Sequence, residues 1–304
     1  MVKRLLRDGW DVVSVDLLPY GVTRVGQHTH IMQDCRRFFA AERSTFDMVV
    51  HCAAVVGGRA SIDGNPLDVA TNLSIDAEFF HWVVETRQRR VVYYSSSAAY
   101  PVSLQVDDTK FFLTEEDLTG DKPSALVLGR PDQTYGWAKL TGEYLATFAR
   151  QRDVEVYVLR PFSGYGAGQS EQYPMTALVA RALRGEDPFD VWCSSKQARD
   201  WIHIDDVVNA TLAVVAAREQ RPVNVCSSLP VTFEELVEKH ILPLTGHTPS
   251  DVRYRNDMPT GVHYRCGSIR RLHRYYVPQI GLSAGVLDLI EHLTRTGVAS
   301  GQTD

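Results

Sequence analysis

The sequence predicts an α/β protein built on a doubly wound parallel sheet, followed by a smaller α/β unit in its C-terminal half. Three observations carry this. Short apolar runs (Val12-Val-Ser-Val15, Met48-Val-Val50, Val91-Val-Tyr-Tyr94, Val154 to Leu159, Val223-Asn-Val225) read as strands. Helical patterns at 72–84 and 135–151 stand between them, and such alternation builds a parallel sheet covered on both faces. At 304 residues, 44% apolar and 23% charged, the chain has the composition of a globular protein with room for one large or two modest domains.

Taken in order, Val2, Leu5 and Leu6 keep a helical spacing that Gly9 stops, and Asp11 to Asp16 reads as the next strand. In Asn72-Leu-Ser-Ile-Asp-Ala-Glu-Phe-Phe-His-Trp-Val-Val84, Leu73, Ala77, Phe80 and Val84 recur at i, i+4, i+7 and i+11, one stripe expected to be core. The strand at 91–94 runs directly into Ser95-Ser-Ser97-Ala-Ala-Tyr100-Pro, placing three hydroxyls where a parallel sheet presents ligand-facing groups. Residues 101–134 form a long connection carrying Asp107-Asp108, Glu115-Glu116-Asp117 and Asp121; without clear periodicity it is expected to be a lid or disordered. The last residues, Ala299 to Asp304, read as a frayed tail.

The most informative pair is Tyr135 and Lys139. Leu140, Tyr144, Leu145 and Phe148 continue a helical rhythm downstream, so the two lie one turn apart on one face. A free phenol titrates near 10 and is a poor base at neutral pH. A fixed ammonium beside it favours the phenolate, which is then able to take a proton from a hydroxyl.

Bulk properties narrow the partners. A net charge of −5 gives no reason to expect nucleic acid, and no apolar run is long enough to cross a bilayer. Five scattered cysteines, at 35, 52, 193, 226 and 266, without a Cys-x-x-Cys, favour reduced thiols in a cytoplasmic protein over a disulfide framework or zinc site. Met1-Val-Lys-Arg-Leu-Leu-Arg is charged and unlike a signal peptide. One His and two acids at His203, Asp205 and Asp206 look like a helix start, so no metal is expected.

The serine run and the Tyr-x-x-x-Lys pair, in this order, resemble the extended short-chain dehydrogenase/reductase family, the nucleotide-sugar epimerases and dehydratases. The resemblance implies a Rossmann-like first domain over 1–163, with 201–226 returning to it, and a substrate domain over 164–304. Members of the family open with a strand and Gly-x-x-Gly-x-x-Gly, whereas this chain begins inside the helix that follows that loop. The absent first strand belongs mid-sheet, and each buried backbone group it leaves unpaired costs roughly 1–3 kcal/mol. The expectation is about 15–20 further residues upstream in the working protein; the alternative is that the second and fourth strands pair directly.

For the cofactor, NAD, the resemblance implies the following sites. Asp16 ends the second strand, where an acid accepts from the adenosine ribose hydroxyls and repels a 2′-phosphate; Arg24 is a weak counter-argument. Asp34, with Cys35 beside it, resembles the acid that reaches the adenine amine. Ala53 and Ala54 in His51-Cys-Ala-Ala54, and Ser95, border the nicotinamide-side ribose, with His51 a packed residue and Cys52 a small buried group. Pro161 and Phe162 in Arg160-Pro-Phe-Ser-Gly-Tyr-Gly166 meet the carboxamide. Ser96, counted back four from Tyr100, completes the catalytic set with Tyr135 and Lys139, and Ser97 is the second choice.

For the nucleotide-sugar substrate, Gly57-Gly58 and Tyr100-Pro101 resemble the GDP-mannose 3,5-epimerase and GDP-fucose synthase subgroups. Trp192 and Arg199, in Phe189-Asp-Val-Trp192 and Ala198-Arg-Asp-Trp-Ile-His-Ile-Asp-Asp206, resemble the segment whose arginine reaches the diphosphate, with Asp200 orienting Arg199. Arg265 resembles a second phosphate arginine. Ser163 and Ser97 complete the set, Ser163 standing where relatives carry Asn. The departures narrow the chemistry: Ser97-Ala98 replaces the Asp-Glu pair of the dehydratases, and Ala98 stands where 3,5-epimerases carry a cysteine. What remains suits an NAD-dependent epimerase working by transient oxidation at C4. The alternatives are a GDP-sugar 3,5-epimerase-like enzyme, a 4-keto-sugar reductase, or a cofactor-binding homologue without turnover. A homodimer through the Tyr-Lys helix is implied by the resemblance alone.

Overall fold

The computed structural model describes residues 1–19, 24–25, 27–57, 64–106, 110–118, 130–257 and 261–297, with the backbone alone described at 24 and 25. In chain order the first half contains α1 (Val2–Arg7), β1 (Val12–Asp16), β2 (Arg24–Val25), β3 (His28–Met32), α2 (Cys35–Ala41), β4 (Val49–His51), α3 (Pro66–Glu85), β5 (Arg90–Tyr94), β6 (Phe112–Leu113) and α4 (Gln133–Arg150). The second half contains β7 (Glu155–Pro161), β8 (Ser163–Tyr165), α5 (Pro174–Leu183), β9 (Phe189–Val191), β10 (Ala198–His203), α6 (Ile204–Ala216), β11 (Val223–Val225), β12 (Pro230–Thr232), β13 (Val252–Tyr254), β14 (Tyr264–Gly267) and α7 (Leu282–Arg295). A helical stretch at 233–245 carries a π turn over Leu236–Ile241.

Four parallel strands form the central sheet in the order β11-β7-β5-β4. Its two faces use alternate residues, as a pleated strand requires. Val91, Tyr93, Val156 and Val158 pack with Phe79, Phe80 and Val83 of α3, while Val92, Tyr157 and Leu159 pack with Val207, Ala210 and Val214 of α6. Helices cover both faces, and this is why Val91–Tyr94 of β5 and Val156–Leu159 of β7 are continuous apolar runs.

A separate parallel pair, β1 with β3, is aligned from Val12↔His28 to Asp16↔Met32, with β2 on its far edge. Among the described residues no ladder joins β1 to β4, so the direct pairing of second and fourth strands is not formed.

Two expectations need correction. In α3 the buried positions are Val69, Asn72, Ile75, Asp76, Phe79, Phe80, Trp82 and Val83, whereas Leu73 and Ala77 are exposed. The inward face is set by polar anchoring: Asn72 holds the Val55 backbone at both N–H and C=O, and Asp76 meets His51 and Tyr93. A stripe chosen on hydrophobicity alone therefore lands on a different face. The 101–134 connection is also more built than expected. Its Phe112–Leu113 strand pairs with β14, Leu113 is fully buried, and Val102 N–H reaches Arg130 C=O at 2.9 Å. Asp107, Asp108 and Asp121 lie outside the described residues, as does the tail from 298.

The second sheet runs β12-β10-β14-β6, with β8 also on β10, and β9 pairs with β13. Its core gathers Met175, Phe189, Trp201, Leu236, Val237 and Leu289. Asp200, fully buried on β10, accepts from Ser227 N–H (2.7 Å), Ser228 N–H (3.0 Å) and Gly267 N–H (3.1 Å). It does not orient Arg199, as the sequence reading expected, because successive strand residues point to opposite faces.

Candidate active site

The site is built on the carboxyl ends of β1, β4, β5 and β7. After Tyr94 the chain is extended through Ser96 (φ −159°), whose Oγ accepts from Ala98 N–H at 3.1 Å and caps a 3₁₀ turn over Ser97–Ala99. The start of α4 is pressed onto this turn. Asp132 N–H donates to Ala98 C=O at 2.9 Å, and a Cβ on Gly136 would stand 2.3 Å from the same carbonyl oxygen. Only glycine permits that approach, and it brings Tyr135 to the serine turn.

The Ser96 side chain stands beside the Tyr135 phenol and favours its ionised form. Burial pushes the Tyr135 pKa up to about 12; Ser96 and the Arg265 charge pull it down, and Asp76 pushes it up. The Lys139 ammonium lies 5.9 Å from the centre of the Tyr135 ring and 5.2 Å from that of Tyr93. Burial lowers the Lys139 pKa, opposed by Asp76. Asp76 is thus the counter-ion beneath the pair: its two oxygens meet Tyr93 Oη at 2.5 Å and His51 Nε2 at 3.0 Å. His51 stacks on Phe79 with ring centres 3.9 Å apart, and burial lowers its pKa, so it is a neutral packed residue.

The cofactor-side residues stand at or just past strand ends of the two parallel sheets. Asp16 closes β1, is exposed, and accepts from Leu18 N–H at 3.0 Å. Asp34 caps α2 through Arg36 N–H (2.9 Å) and grips the Arg36 guanidinium at 2.6 Å, which holds its carboxyl at about 2. Cys35 opens α2. Ala53 and Ala54 follow β4 and are half-buried; Cys52 is exposed, against expectation, because residues past the end of β4 lie outside the sheet core. Ser95 is buried and donates to Glu143 at 2.5 Å. Pro161 ends β7, and the Phe162 ring is buried against Tyr100, with its N–H on Val225 C=O at 3.0 Å and its C=O accepting from Gly164 N–H at 2.7 Å. Small residues, hydroxyls and an acid at these strand ends fit a dinucleotide in the crevice beyond the sheet.

The substrate-side residues are more dispersed. Gly57 is buried and lines a cavity of about 340 Å³ with Val55, Val56 and Val69. Gly58 lies outside the described residues. Ser97 is buried in its turn, and Ser163 opens β8 beside Trp201. Trp192 is 58% exposed, with the Arg181 guanidinium 6.0 Å from its ring centre. Arg199 and Arg265 are register partners on β10 and β14. Arg199 donates to Ala198 C=O at 2.8 Å, while Arg265 turns to Asp132 at 2.7 Å and to Gln105.

The carboxylates at 115–117 of the long connection make structural contacts. Glu115 accepts from Asn224 N–H at 3.0 Å, Glu116 pairs with Arg271, and Asp117 accepts from Thr114 N–H at 2.7 Å. Residues the sequence reading passed over are Asn72, Asp76, Asp132, Glu143 and Arg160. Asn72 and Asp76 lie one turn apart in a helix that also carries Asp68, Ser74, Glu78 and His81, so composition does not single them out.

A sequence model of the NAD dependent epimerase/dehydratase family matches residues 1–226. The chain is 25% identical over 245 residues to a dTDP-4-dehydro-6-deoxy-D-allose reductase of a Streptomyces species, covering 79% of this chain and 71% of that one. It is 24% identical over 270 residues to the GDP-L-fucose synthase of Escherichia coli K12, covering 82% and 80%. Among solved structures it is similar to MoeE5 in complex with UDP-glucuronic acid and NAD, with a TM-score of 0.79, 26% identity, and coverage of 97% of this chain and 94% of that one.

Proposed function

Because the chain belongs to the NAD dependent epimerase/dehydratase family, and is therefore an NAD-dependent enzyme acting in nucleotide-sugar chemistry, we propose that it is a nucleotide-sugar epimerase working by transient oxidation at C4. The observation that carries this reading is the assembly of Ser96, Tyr135 and Lys139 at one strand end, beside a serine turn whose next residues, Ser97 and Ala98, are buried and carry no acid. Eliminating water needs an acid and a second base, which this turn does not offer.

NAD, when bound, supplies the hydride acceptor and donor. The chain's part is to hold and to move a proton. Ser96 fixes the reacting hydroxyl, Tyr135 takes its proton and later returns it, and Lys139 supplies positive charge beside the ribose. Asp16, Asp34 and the Cys35 backbone border the adenosine; Ala53, Ala54, Ser95 and the Pro161–Phe162 backbone border the nicotinamide ribose and carboxamide. Trp192 offers a flat exposed face to the base and Arg199 a charge to the diphosphate, with Gly57, Gly58, Ser97 and Ser163 around the sugar. In this reading residues 1–163, with 201–226, form the dinucleotide domain and 164–304 the substrate domain.

The second reading is reduction of a 4-keto sugar, favoured by the reductase relative and served by the same residues. Incubating the NAD-loaded protein with UDP-glucose, UDP-GlcNAc and GDP-mannose, and the NADH-loaded protein with a dTDP-4-keto sugar, separates the two. Inverted C4 products support the epimerase; NADH consumption with the keto sugar alone favours the reductase. Deuterium from solvent entering C3 or C5 would overturn both in favour of 3,5-epimerisation. The same reading makes the protein a cytoplasmic homodimer. Trp137, Tyr144 and Phe148 form an exposed stripe on α4 at i, i+7 and i+11, and light scattering at the mass of one chain would remove that part.

A further inference from the structure

The first turn of α4 is held in an unusual way. Gln133, two residues before Tyr135, has φ +56°, a left-handed backbone that a non-glycine residue adopts only when its surroundings impose it. Asp132 occupies the helix N-cap but makes no capping hydrogen bond with its side chain, although Asp is among the preferred capping residues. Its carboxylate meets Arg265 Nη2 at 2.7 Å, and both side chains are nearly buried, 10% and 13% exposed. Arg265 arrives from β14, which is anchored through Gly267 N–H on the buried Asp200. A cation carried by the C-terminal half is thus fixed at the turn that presents the tyrosine, while its register neighbour Arg199 donates to Ala198 C=O at 2.8 Å.

We propose that Arg265 is a positioning residue for Tyr135 and not a diphosphate ligand: its ion pair with Asp132 locks the strained first turn of α4 onto the serine turn, and its charge acts on the phenol. The inference rests on the reading of Tyr135 as the proton carrier. Among the described residues, five side chains bear on that phenol besides Ser96. Ser96 and Arg265 favour its ionised form, and Asp76 opposes it. Lys139 lies beside the ring, and the phenols of Tyr93 and Tyr173 both feel the Tyr135 charge. Arg265 itself faces Asp132 and Gln105.

The test reads the phenol and needs no turnover. A 2,3,5-trifluorotyrosine, whose hydroxyl titrates below that of tyrosine, is encoded at position 135 of the full chain and followed by ¹⁹F NMR against pH. Arg265→Gln removes the cation and is expected to raise the midpoint by about half a pH unit or more, with Arg265→Lys restoring much of it. Asp132→Asn removes a negative charge from beside the guanidinium and is expected to move the midpoint the opposite way, downward. A merely structural pair would move both variants in the same direction or leave both unchanged, and either result overturns the proposal. If Arg265→Gln does not fold, Asp132→Asn decides alone: a lower midpoint supports the proposal, an unchanged or higher one removes it. Because no substrate is involved, a protein that converts none of the nucleotide sugars above can still pass this test, and an active epimerase can fail it.

Discussion

Glu143 and Arg160 form a two-point ion pair, Nε to Oε1 at 2.8 Å and Nη2 to Oε2 at 2.7 Å, in the interior between α4 and β7. Arg160 is 1% exposed and also donates to Tyr100 Oη at 2.9 Å, which in turn donates to Asn224 at 2.7 Å. The pair joins the helix of Tyr135 to the strand that ends in Pro161 and Phe162. Removing one partner of a buried pair leaves the other charge uncompensated, which costs about 3–5 kcal/mol. Glu143→Ala is therefore expected to destabilise the fold by that amount in urea titration; a loss below about 1 kcal/mol would show that Arg160 finds another partner.

Tyr135→Phe removes the phenol with little change of shape. General acid–base catalysis contributes about 10²–10⁴-fold, so turnover of whichever sugar proves to be the substrate should drop by that factor while NAD binding by calorimetry stays near wild type. Undiminished turnover would remove Tyr135 as the proton carrier.

Ser96 is one of the groups that lower the raised Tyr135 pKa. With Ser96→Ala that contribution is lost, the phenol holds its proton to still higher pH, and the alkaline rise in rate should move upward. The sign is fixed because a group that favours the phenolate has been deleted. A pH–rate profile that keeps its position, or moves to lower pH, counts against the Ser96–Tyr135 contact.

Gly142 faces Tyr93 so closely that an added Cβ would lie 1.9 Å from the phenol oxygen and 2.8 Å from Asp76 Oδ2. Gly142→Ala should destabilise by about 1–3 kcal/mol through overpacking. Adding Tyr93→Phe, which removes the clashing oxygen, should recover part of that loss, so the two changes are expected to be non-additive in a double-mutant cycle. Strict additivity would mean that α4 moves away instead, and Lys139 with it.

Several elements were legible because their signals are local. Val12–Asp16, Arg90–Tyr94 and Val223–Val225 are strands, and Gln133–Arg150 is the helix that the Tyr-Lys spacing required. The same spacing misled for the exterior. Tyr144 and Phe148, counted among the apolar rhythm of α4, are 63% and 46% exposed, and its buried face is Gly136, Ala138, Gly142, Ala146 and Ala149 with Lys139 and Glu143. Small residues were needed there because α3 and the serine turn approach closely, and a hydrophobicity pattern does not register closeness.

By itself the sequence determined the strands near 12–16, 49–50, 91–94, 154–159 and 223–225, that Tyr135 and Lys139 share a helix face, and that three hydroxyls follow a central strand. Each of these depends on spacings of a few residues, which the chain geometry turns directly into direction. Only the tertiary structure decided what stands around them. Asp76 reaches Tyr93 across 17 residues, Glu143 reaches Ser95 across 48, and Arg265 reaches Asp132 across 133. Such contacts arise when packed layers bring distant segments to one strand end, and the charges that set the phenol's acidity follow from that packing.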